Sequence, residues 1–185
     1  VAAPPPVAAR VAPTSGVEGN GDPINLKSGE RRMLQVLAQR QNEGTTRDQL
    51  GTLACFAAGG GTFGDYLRTL KRVGFAIEKG EYVQATDAGI EYLAGDIPEA
   101  PQSSKEIVAM WKARLKSGEA KMLDVLVEHA DEPITKDQLG EESGFTAAGG
   151  TFADYLRTLR RNGLAEVEGD HVRATDILWP EGVGA

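Results

Sequence analysis

The sequence is poor in the residue types on which most metal and covalent chemistry depends. Among 185 residues it has one cysteine, Cys55, and two well separated histidines, His129 and His171. A single cysteine cannot form an intramolecular disulfide, and one cysteine with two histidines does not complete a structural zinc site. No nucleophile stands in a recognisable pattern with a base. We therefore expect no catalytic residues, no cofactor and no metal site, so the chain is predicted not to be an enzyme.

Long apolar runs are also missing. The longest are far short of the roughly 20 residues that cross a bilayer. The start of the chain lacks a basic region followed by an apolar one, which is the pattern of a signal peptide. Together with the single cysteine, which fits a reducing compartment, these absences predict a cytoplasmic protein with no membrane partner.

An excess of positive charge is absent as well. The chain has 20 Lys and Arg against 27 Asp and Glu, a formal net charge of −7. This balance argues against a generally basic nucleic-acid coat but leaves room for a local basic patch. The hydrophobic content of 41% and charged content of 25% are close to globular averages, so a packed core is expected.

What the sequence does contain is an internal repeat. Residues 58–72 read "AGGGTFGDYLRTLKR" and residues 147–161 read "AAGGTFADYLRTLRR". More widely, Leu26–Asp87 aligns without a gap with Leu115–Asp176, and 35 of the 62 positions are identical. We call these segments unit one and unit two. Such similarity indicates a duplicated fold, and about 60 residues are enough for a small domain with its own core.

Two helices are predicted at the start of each unit. In "SGERRMLQVLAQR" (28–40), apolar residues recur at helical spacing. Ser28 is the expected N-cap, and Ser117 holds the same place in unit two. A short second helix is predicted after Thr46 and Thr135, because each threonine and the glutamine three residues later, Gln49 or Gln138, form the pattern of a capping box.

The third predicted helix begins near Thr62 in unit one and near Thr151 in unit two, and it stops at Gly74 or Gly163. Its apolar face in unit one follows the spacing i, i+3, i+4, i+7 and consists of Phe63, Tyr66, Leu67 and Leu70. Short alternating segments around a glycine then predict a β-hairpin. The fold class is therefore expected to be mainly α with small β-hairpins (α+β): two tandem winged helix–turn–helix domains from an internal duplication.

The remaining segments predict the domain organisation. A Pro-, Ala- and Gly-rich start suggests a flexible linker and a chain that continues a larger protein, with a processed or trimmed N-terminus as the alternative. A helix is predicted over 105–115, with Ile107, Trp111 and Leu115 on one face. We expect this face to pack between the units, and a partner site there is the alternative. The expected divisions are a linker 1–24, a first domain 25–96, a linker 97–104, a second domain 105–179 with a leading helix, and a tail 180–185.

The third helix suggests what the repeat does. In helix–turn–helix proteins the recognition helix presents polar side chains to the major groove of DNA. Arginines read guanine edges or hold phosphates, and lysine and threonine suit phosphates. The predicted DNA-binding residues are Thr62, Arg68, Thr69, Lys71, Arg72 and Lys79 in unit one, and Thr151, Arg157, Thr158, Arg160 and Arg161 in unit two.

Glycines precede both third helices, and two interpretations of them stay open. Glycine lets the backbone amides at a helix N-terminus approach a phosphate closely. Alternatively, these glycines form a tight turn where the second and third helices pack together. They do not form a nucleotide-binding loop, because a Walker motif needs a lysine after its last glycine and Thr-Phe follows here.

Charge distinguishes the two units. Unit one has nine basic and seven acidic residues, a net charge of +2, whereas unit two has seven basic and thirteen acidic residues, a net charge of −6. The first hairpin carries Lys79, while the second is acidic. Glu141 and Glu142 stand where unit one has Thr52 and Leu53. We therefore expect unit one to provide more of any DNA contact. For unit two, weak DNA contact and a dimer or partner surface both stay open.

Two further positions are expected to be structural. Asp65 and Asp154 occupy the same place in both units, so pairing with a nearby arginine or helix capping is expected. Cys55 aligns with Gly144, which favours a small packing residue over a nucleophile.

The strings "FAAGGGTFGDYLRTLKRVGFA" and "GFTAAGGTFADYLRTLRRNGLA" resemble the tandem winged-helix tails of certain bacterial proteins. Some of these tails follow a Pro/Ala-rich linker on larger ATP-binding proteins of the HerA/FtsK type. The resemblance covers roughly residues 26–178, and Gly-Gly-x-Phe followed by a Leu-Arg helix is its most specific part. The family often has Asn where Asp65 and Asp154 stand here, which bears on direct base reading. The resemblance implies a winged-helix fold and a larger parent chain.

Three functions remain open at this stage. The first is a DNA-binding module with double-stranded DNA as its partner. The second is a protein docking or dimerisation module, since winged helices also serve as interaction domains, and a homo-oligomer is included here. The third is a stand-alone transcription regulator that senses a small molecule. Fold alone does not choose among them.

Overall fold

The computed structural model describes residues 24–41 and 44–179. Within this part, the chain is an α+β structure with eight α-helices and two antiparallel sheets of three short strands. The predicted class, mainly α with small β-hairpins, is confirmed at this level. The predicted linker 1–24, apart from Ile24, and the predicted tail 180–185 lie outside the described residues.

Unit one contains three helices, a hairpin and one additional strand. Its elements are α1 (Ser28–Gln39), β1 (Thr45–Thr46), α2 (Arg47–Ala54), α3 (Gly61–Arg72), β2 (Ala76–Lys79) and β3 (Tyr82–Ala85). The sheet order is β1-β3-β2, so the hairpin strand β3 lies in the centre. A closing helix, α4 (Asp87–Leu93), follows the hairpin.

Unit two has the same order of elements. After α5 (Ser104–Lys112) come α6 (Ser117–Glu128), β4 (Ile134–Thr135), α7 (Lys136–Ser143), α8 (Gly150–Arg161), β5 (Ala165–Glu168) and β6 (His171–Ala174). The sheet order is β4-β6-β5. Where unit one continues into α4, unit two ends in a 3₁₀ turn, Asp176–Leu178.

The core of each unit lies between its first and third helices and the sheet. Met33 and Leu34 of α1 are fully buried, as are Leu70 of α3 and, nearly so, Phe63. The matching residues of unit two are Met122, Leu123, Leu159 and Phe152. Truncating a buried phenylalanine costs about 3–5 kcal/mol, so this contact fixes the third helix on its unit.

Glycine allows α1 to approach α3 closely. A Cβ atom at Gly29 would overlap the ring of Tyr66, and one at Gly118 would overlap the ring of Tyr155. The two tyrosines are thus held over the start of the first helix, which leaves the opposite, polar side of each third helix in solvent.

The helix starts differ from the sequence prediction. Ser28 and Ser117 are not N-caps, because each first helix has its N-cap one residue earlier, at Lys27 and Lys116. The glutamate at the third helical position explains the shift. The backbone N–H of Lys27 donates to Glu30 Oε2 at 2.8 Å, and unit two repeats this bond at 2.8 Å.

The capping box before α2 is confirmed. Thr46 accepts from the Gln49 backbone N–H, and Gln49 Oε1 accepts from the Thr46 N–H. Before α7 only half of the box forms. Thr135 accepts from the backbone of Gln138, but the Gln138 side chain donates instead to Glu142 Oε1 at 3.0 Å.

The helix between the units begins and ends earlier than predicted, at Ser104 and Lys112. Its apolar face is buried as expected: Trp111 is fully buried, and Ile107 is 9% exposed. Leu115 lies beyond the helix and is half-buried. The helix packs on α6 and on the 3₁₀ turn, so it belongs mainly to unit two.

Cys55 is not the packing residue that the alignment suggested. It is exposed and adopts a left-handed backbone, with φ of 61°, as the C-cap of α2. Gly144, its counterpart after α7, has φ of 79°. The position therefore serves to end the helix, and glycine is the residue that suits this conformation.

Candidate nucleic-acid interface

The solvent face of α3 carries most of the residues predicted for unit one. Thr62, Arg68, Lys71 and Arg72 are exposed, and Thr69 is half-buried. Because the apolar residues of α3 face the core, these polar side chains share the outer side of the helix. Lys79 is exposed at the end of β2, beside the hairpin turn.

The solvent face of α8 repeats this arrangement. Thr151, Arg157, Arg160 and Arg161 are exposed. Thr158 is half-buried, and its hydroxyl donates to the carbonyl of Asp154 at 3.1 Å, so this threonine is engaged within its own helix. The structure thus brings three arginines together on one side of α8.

Each third helix also carries an acid that pairs with an arginine one turn later. Arg68 Nη1 lies 2.6 Å from Asp65 Oδ1, and Arg157 Nη1 lies 2.7 Å from Asp154 Oδ1. This confirms the expected pairing. All four side chains are exposed, so each ion pair adds only about 0.2–0.5 kcal/mol of helix stability. Its main effect is to limit the directions in which the guanidinium points.

A difference between the units appears at Glu78 on β2. Its carboxylate forms ion pairs with Lys71 of α3 and with Arg47 of α2, the latter at 2.6 Å. Lys71 first, and then Arg47, hold the pKa of the Glu78 carboxyl below its usual range by hydrogen bonding to its charged form. Part of the positive charge on α3 is thereby neutralised by its own sheet.

Unit two lacks this carboxylate, since Val167 takes the place of Glu78 and pairs across the hairpin with Val172. Arg160, the counterpart of Lys71, has no ion-pair partner within residues 24–41 and 44–179. Unit two as a whole is therefore the more acidic unit, but among the described residues its third helix carries more unpaired positive charge than that of unit one. The sequence predicted the pairs of Asp65 and Asp154 with an arginine of the same helix, but it did not predict the pair of Lys71 with Glu78 on the sheet.

A groove of about 1220 Å³ runs between α8 and the β5–β6 hairpin. Its helix wall is basic, with Arg157, Arg160 and Arg161, and its strand wall carries Glu166, Glu168, His171 and Arg173. Arg173 Nη2 lies 2.6 Å from Glu166 Oε2. This hydrogen-bonded carboxylate raises the pKa of Arg173. The groove is thus most positive along the helix.

The glycines before the third helices have separable roles. A Cβ at Gly60 would lie 3.0 Å from the carbonyl oxygen of Ala57, and one at Gly149 would lie 3.0 Å from that of Thr146, so the turn favours glycine at the N-cap of each third helix. A Cβ at Gly61 or Gly150 would meet nothing within 4 Å. Neither helix has a side-chain cap. The tight turn accounts for Gly60 and Gly149, whereas nothing in the described part of the structure requires glycine at Gly61 or Gly150.

Other chemistry is limited in the part of the chain that the structure covers. There, no three His, Cys, Asp or Glu side chains are grouped so that they could hold a metal ion. His129 Nε2 lies 2.8 Å from Glu142 Oε2, and Gln138 and His129 together lower the pKa of the Glu142 carboxyl. Among the same residues, none of the helices has the length and apolar character needed to span a membrane.

The residue that sequence reasoning missed is Gln49. Besides its role in the capping box, its Nε2 donates to the carbonyl oxygen of Asn162, in unit two, at 3.0 Å. A usable signal was present: the outer face of α2 has Leu53 where the matching helix has Glu142.

No protein-family model matches the chain, and no curated protein matches it either.

Proposed function

We propose that the chain is a DNA-binding protein made of two winged-helix units, which contact duplex DNA through α3 and α8. The order helix, strand, helix, helix, hairpin with the sheet order β1-β3-β2 supports the winged-helix assignment. In such proteins the third helix is the one that enters the major groove. A helix with side chains is about 10–12 Å across, and the major groove is about 12 Å wide.

The observation that carries this proposal is the exposed basic face of both third helices in an otherwise acidic chain. Three basic residues stand on each face, namely Arg68, Lys71 and Arg72 on α3 and Arg157, Arg160 and Arg161 on α8. The net charge of the chain is −7. Acidic surfaces elsewhere are repelled by phosphate, so they help to orient the basic faces toward the duplex.

Different residues of these faces suit different parts of the DNA. The guanidinium groups of Arg68 and Arg157 are held by Asp65 and Asp154, and such directed donors suit guanine edges. Lys71, Arg72, Arg160 and Arg161 lie in the last turn of their helices and suit phosphates, as do the backbone amides after Gly60.

We propose that unit one provides the larger share of the binding energy. Its net charge of +2, against −6 for unit two, supports this, because repulsion between unit two and phosphate acts beyond the contact surface. The hairpin turns differ in the same direction. Lys79 and Glu81 flank the turn in unit one, whereas two acids, Glu168 and Asp170, flank it in unit two. A larger bacterial ATP-binding protein in the cytoplasm is the proposed setting.

The test is fluorescence anisotropy with a labelled duplex of about 25 base pairs over a salt series. We expect the logarithm of the binding constant to fall linearly with the logarithm of salt, with a slope of about −0.9 per phosphate contacted. Absence of binding at low salt would refute the DNA-binding function and would favour the docking function.

Matched variants then divide the binding between the units. Arg68→Ala, Lys71→Ala and Arg72→Ala are combined in one protein, and Arg157→Ala, Arg160→Ala and Arg161→Ala in the other. We expect the first to lose more affinity and more of the salt slope. Equal losses would contradict the asymmetry while leaving DNA binding intact.

A further inference from the structure

The outer face of the second helix is covered in unit one and open in unit two. Gln49 is 9% exposed and Leu53 is 5% exposed. Their counterparts Gln138 and Glu142 are half-buried and exposed, respectively. Because the units share one order of elements, this difference arises from something that lies on α2 alone. The sequence agrees, since α2 presents an apolar residue where α7 presents a carboxylate.

The end of α8 lies on α2 at Gln49, and Arg114, which follows α5, lies at the C-cap of α2, where its Nη1 donates to Cys55 Sγ at 3.3 Å. Gln49 Nε2 donates to the carbonyl oxygen of Asn162, the C-cap of α8, in a bond that is itself buried. Asn162 is 2% exposed, whereas its counterpart Val73 is half-buried. The next residue, Gly163, also lies against α2: a Cβ built on it would be 3.3 Å from Gln49 Nε2.

Gln49 is held before it makes this contact. Its Oε1 accepts the Thr46 N–H at 3.0 Å, so the amide plane is fixed and the Nε2 points away from its own helix. In unit two the equivalent amide turns back to Glu142 and contacts no other unit. The same residue type thus has two different uses in the two copies.

Other contacts shorten the connection between the units. Arg31 of α1 lies 2.7 Å from Asp96, and Gln39 donates to the carbonyl of Pro98 at 2.8 Å, so the segment after α4 is tied to α1. At its other end, Lys112 of α5 pairs with Asp124 of α6. Little free chain is left between the two units.

We propose that Gln49 is a positioning residue: its bond to Asn162 holds α8 in one orientation relative to unit one. This inference rests on the DNA-binding function proposed above. The two third helices then act as one rigid reader of two duplex segments. Two units joined by a flexible linker would bind DNA elements at many spacings. Two units held rigidly bind only elements whose spacing and helical phase fit both third helices at once.

The variants separate this contact from the capping box. Gln49→Glu keeps an acceptor for the Thr46 N–H but replaces the donor to Asn162 with a carboxylate that faces a carbonyl oxygen. Leu53→Glu introduces on α2 the residue that α7 tolerates at the same place. Gln138→Glu is the matched control, because it makes the same change where no contact crosses between the units. Thermal unfolding followed by circular dichroism shows that each variant is folded.

The first measurement needs no DNA. Spin labels are attached at Thr62→Cys and Thr151→Cys in a Cys55→Ser background, which keeps an acceptor for Arg114 Nη1. Their distance distribution is measured by pulsed electron–electron double resonance. We expect a single narrow distribution in the parent and in Gln138→Glu, and one at least twice as wide in Gln49→Glu and Leu53→Glu. Unchanged widths in both interface variants overturn the proposal, as does equal broadening in the control.

The second measurement is selection of bound sequences from a random duplex pool. The parent is expected to enrich two elements at one spacing, and Gln49→Glu the same elements at spacings scattered over about one helical turn, or 10 base pairs. Identical spacing in both pools overturns the proposal. A parent that binds no duplex refutes the DNA-binding function instead, and the distance measurement still decides whether Gln49 positions α8.

Discussion

Replacing Glu78 with valine should increase DNA affinity, although it removes two ion pairs. Glu78 now engages Lys71 and Arg47, so neither cation is fully available to phosphate. Glu78→Val recreates the Val–Val pair that unit two forms between Val167 and Val172. At about 0.1 M salt, one additional phosphate contact strengthens binding by about 8-fold and steepens the salt slope by about 0.9.

Stability should change little, because the two ion pairs lie near the surface. The Glu78 side chain is 23% exposed and both partners are more exposed, so each pair is worth about 0–1 kcal/mol. The cross-strand valine pair offsets part of this loss. We expect the free energy of unfolding in urea to change by less than about 1 kcal/mol.

The assay is the anisotropy titration over salt, with two comparisons. Glu91→Gln on α4 removes one negative charge from an exposed site away from the third helix and should change affinity far less. Val167→Glu supplies unit two with the missing carboxylate, so it should pair with Arg160 and weaken binding about 8-fold. The reasoning is refuted if Glu78→Val and Glu91→Gln give the same affinity and the same slope.

Three further outcomes concern stability and are measured by urea or acid unfolding. Both C-cap sites have a left-handed backbone, which glycine adopts at the lowest cost. Cys55→Gly should therefore raise the free energy of unfolding by about 0.5–1 kcal/mol, and Gly144→Ala should lower it by about 1 kcal/mol. Opposite signs would contradict the C-cap role. Gly29→Ala should cost about 1–3 kcal/mol because Tyr66 must move, whereas Gly64→Ala, in open space on α3, should gain about 0.5–1 kcal/mol. The pKa of Glu78 is lowered on folding, so its ion pairs stabilise the protein above the unfolded pKa of this carboxyl, and this contribution is lost as pH falls through the folded pKa. Glu78→Val should therefore unfold in acid with a shallower dependence on pH in that range, and an unchanged acid limb would contradict the ion pairing.

Helices and hairpins were predictable because their signals are local. The apolar spacing of α3 and the glycine after it lie within about a dozen residues. The predicted ends of this helix therefore agree with the observed ends, Gly61 and Arg72, to within one or two residues. The strands β1 and β4 were not predicted, since two residues cannot show an alternating pattern and their partners are distant in sequence. The predicted N-caps, Ser28 and Ser117, were each one residue too late. In unit one the Glu30 carboxylate, rather than the Ser28 hydroxyl, accepts the first free backbone N–H, that of Lys27.

The residues of the site were predictable, and so were the pairs within one helix, such as Asp65 with Arg68, but the pairs that join two elements were not. Residue types placed the basic side chains on the third helices, and the structure leaves most of them exposed. Which of them are neutralised depends on contacts between α3 and a strand that follows it, such as Lys71 with Glu78. The contact of Gln49 with Asn162 spans 113 residues. The difference between Leu53 and Glu142 marks the covered face of α2, but it does not show which residue lies against it.

The differences between the two copies carry information that either copy alone would not. Ten of the twelve residues of α3 recur in α8, and these include exposed positions such as Thr62, Asp65 and Arg68 that no core requires. On the second helix, by contrast, the outer face has changed from Leu53 to Glu142. A packing motif explains identical buried residues, but it does not explain identical exposed ones. A surface that both units use against the same kind of partner explains the identical exposed residues. The basic character of that surface favours duplex DNA over a protein as the partner.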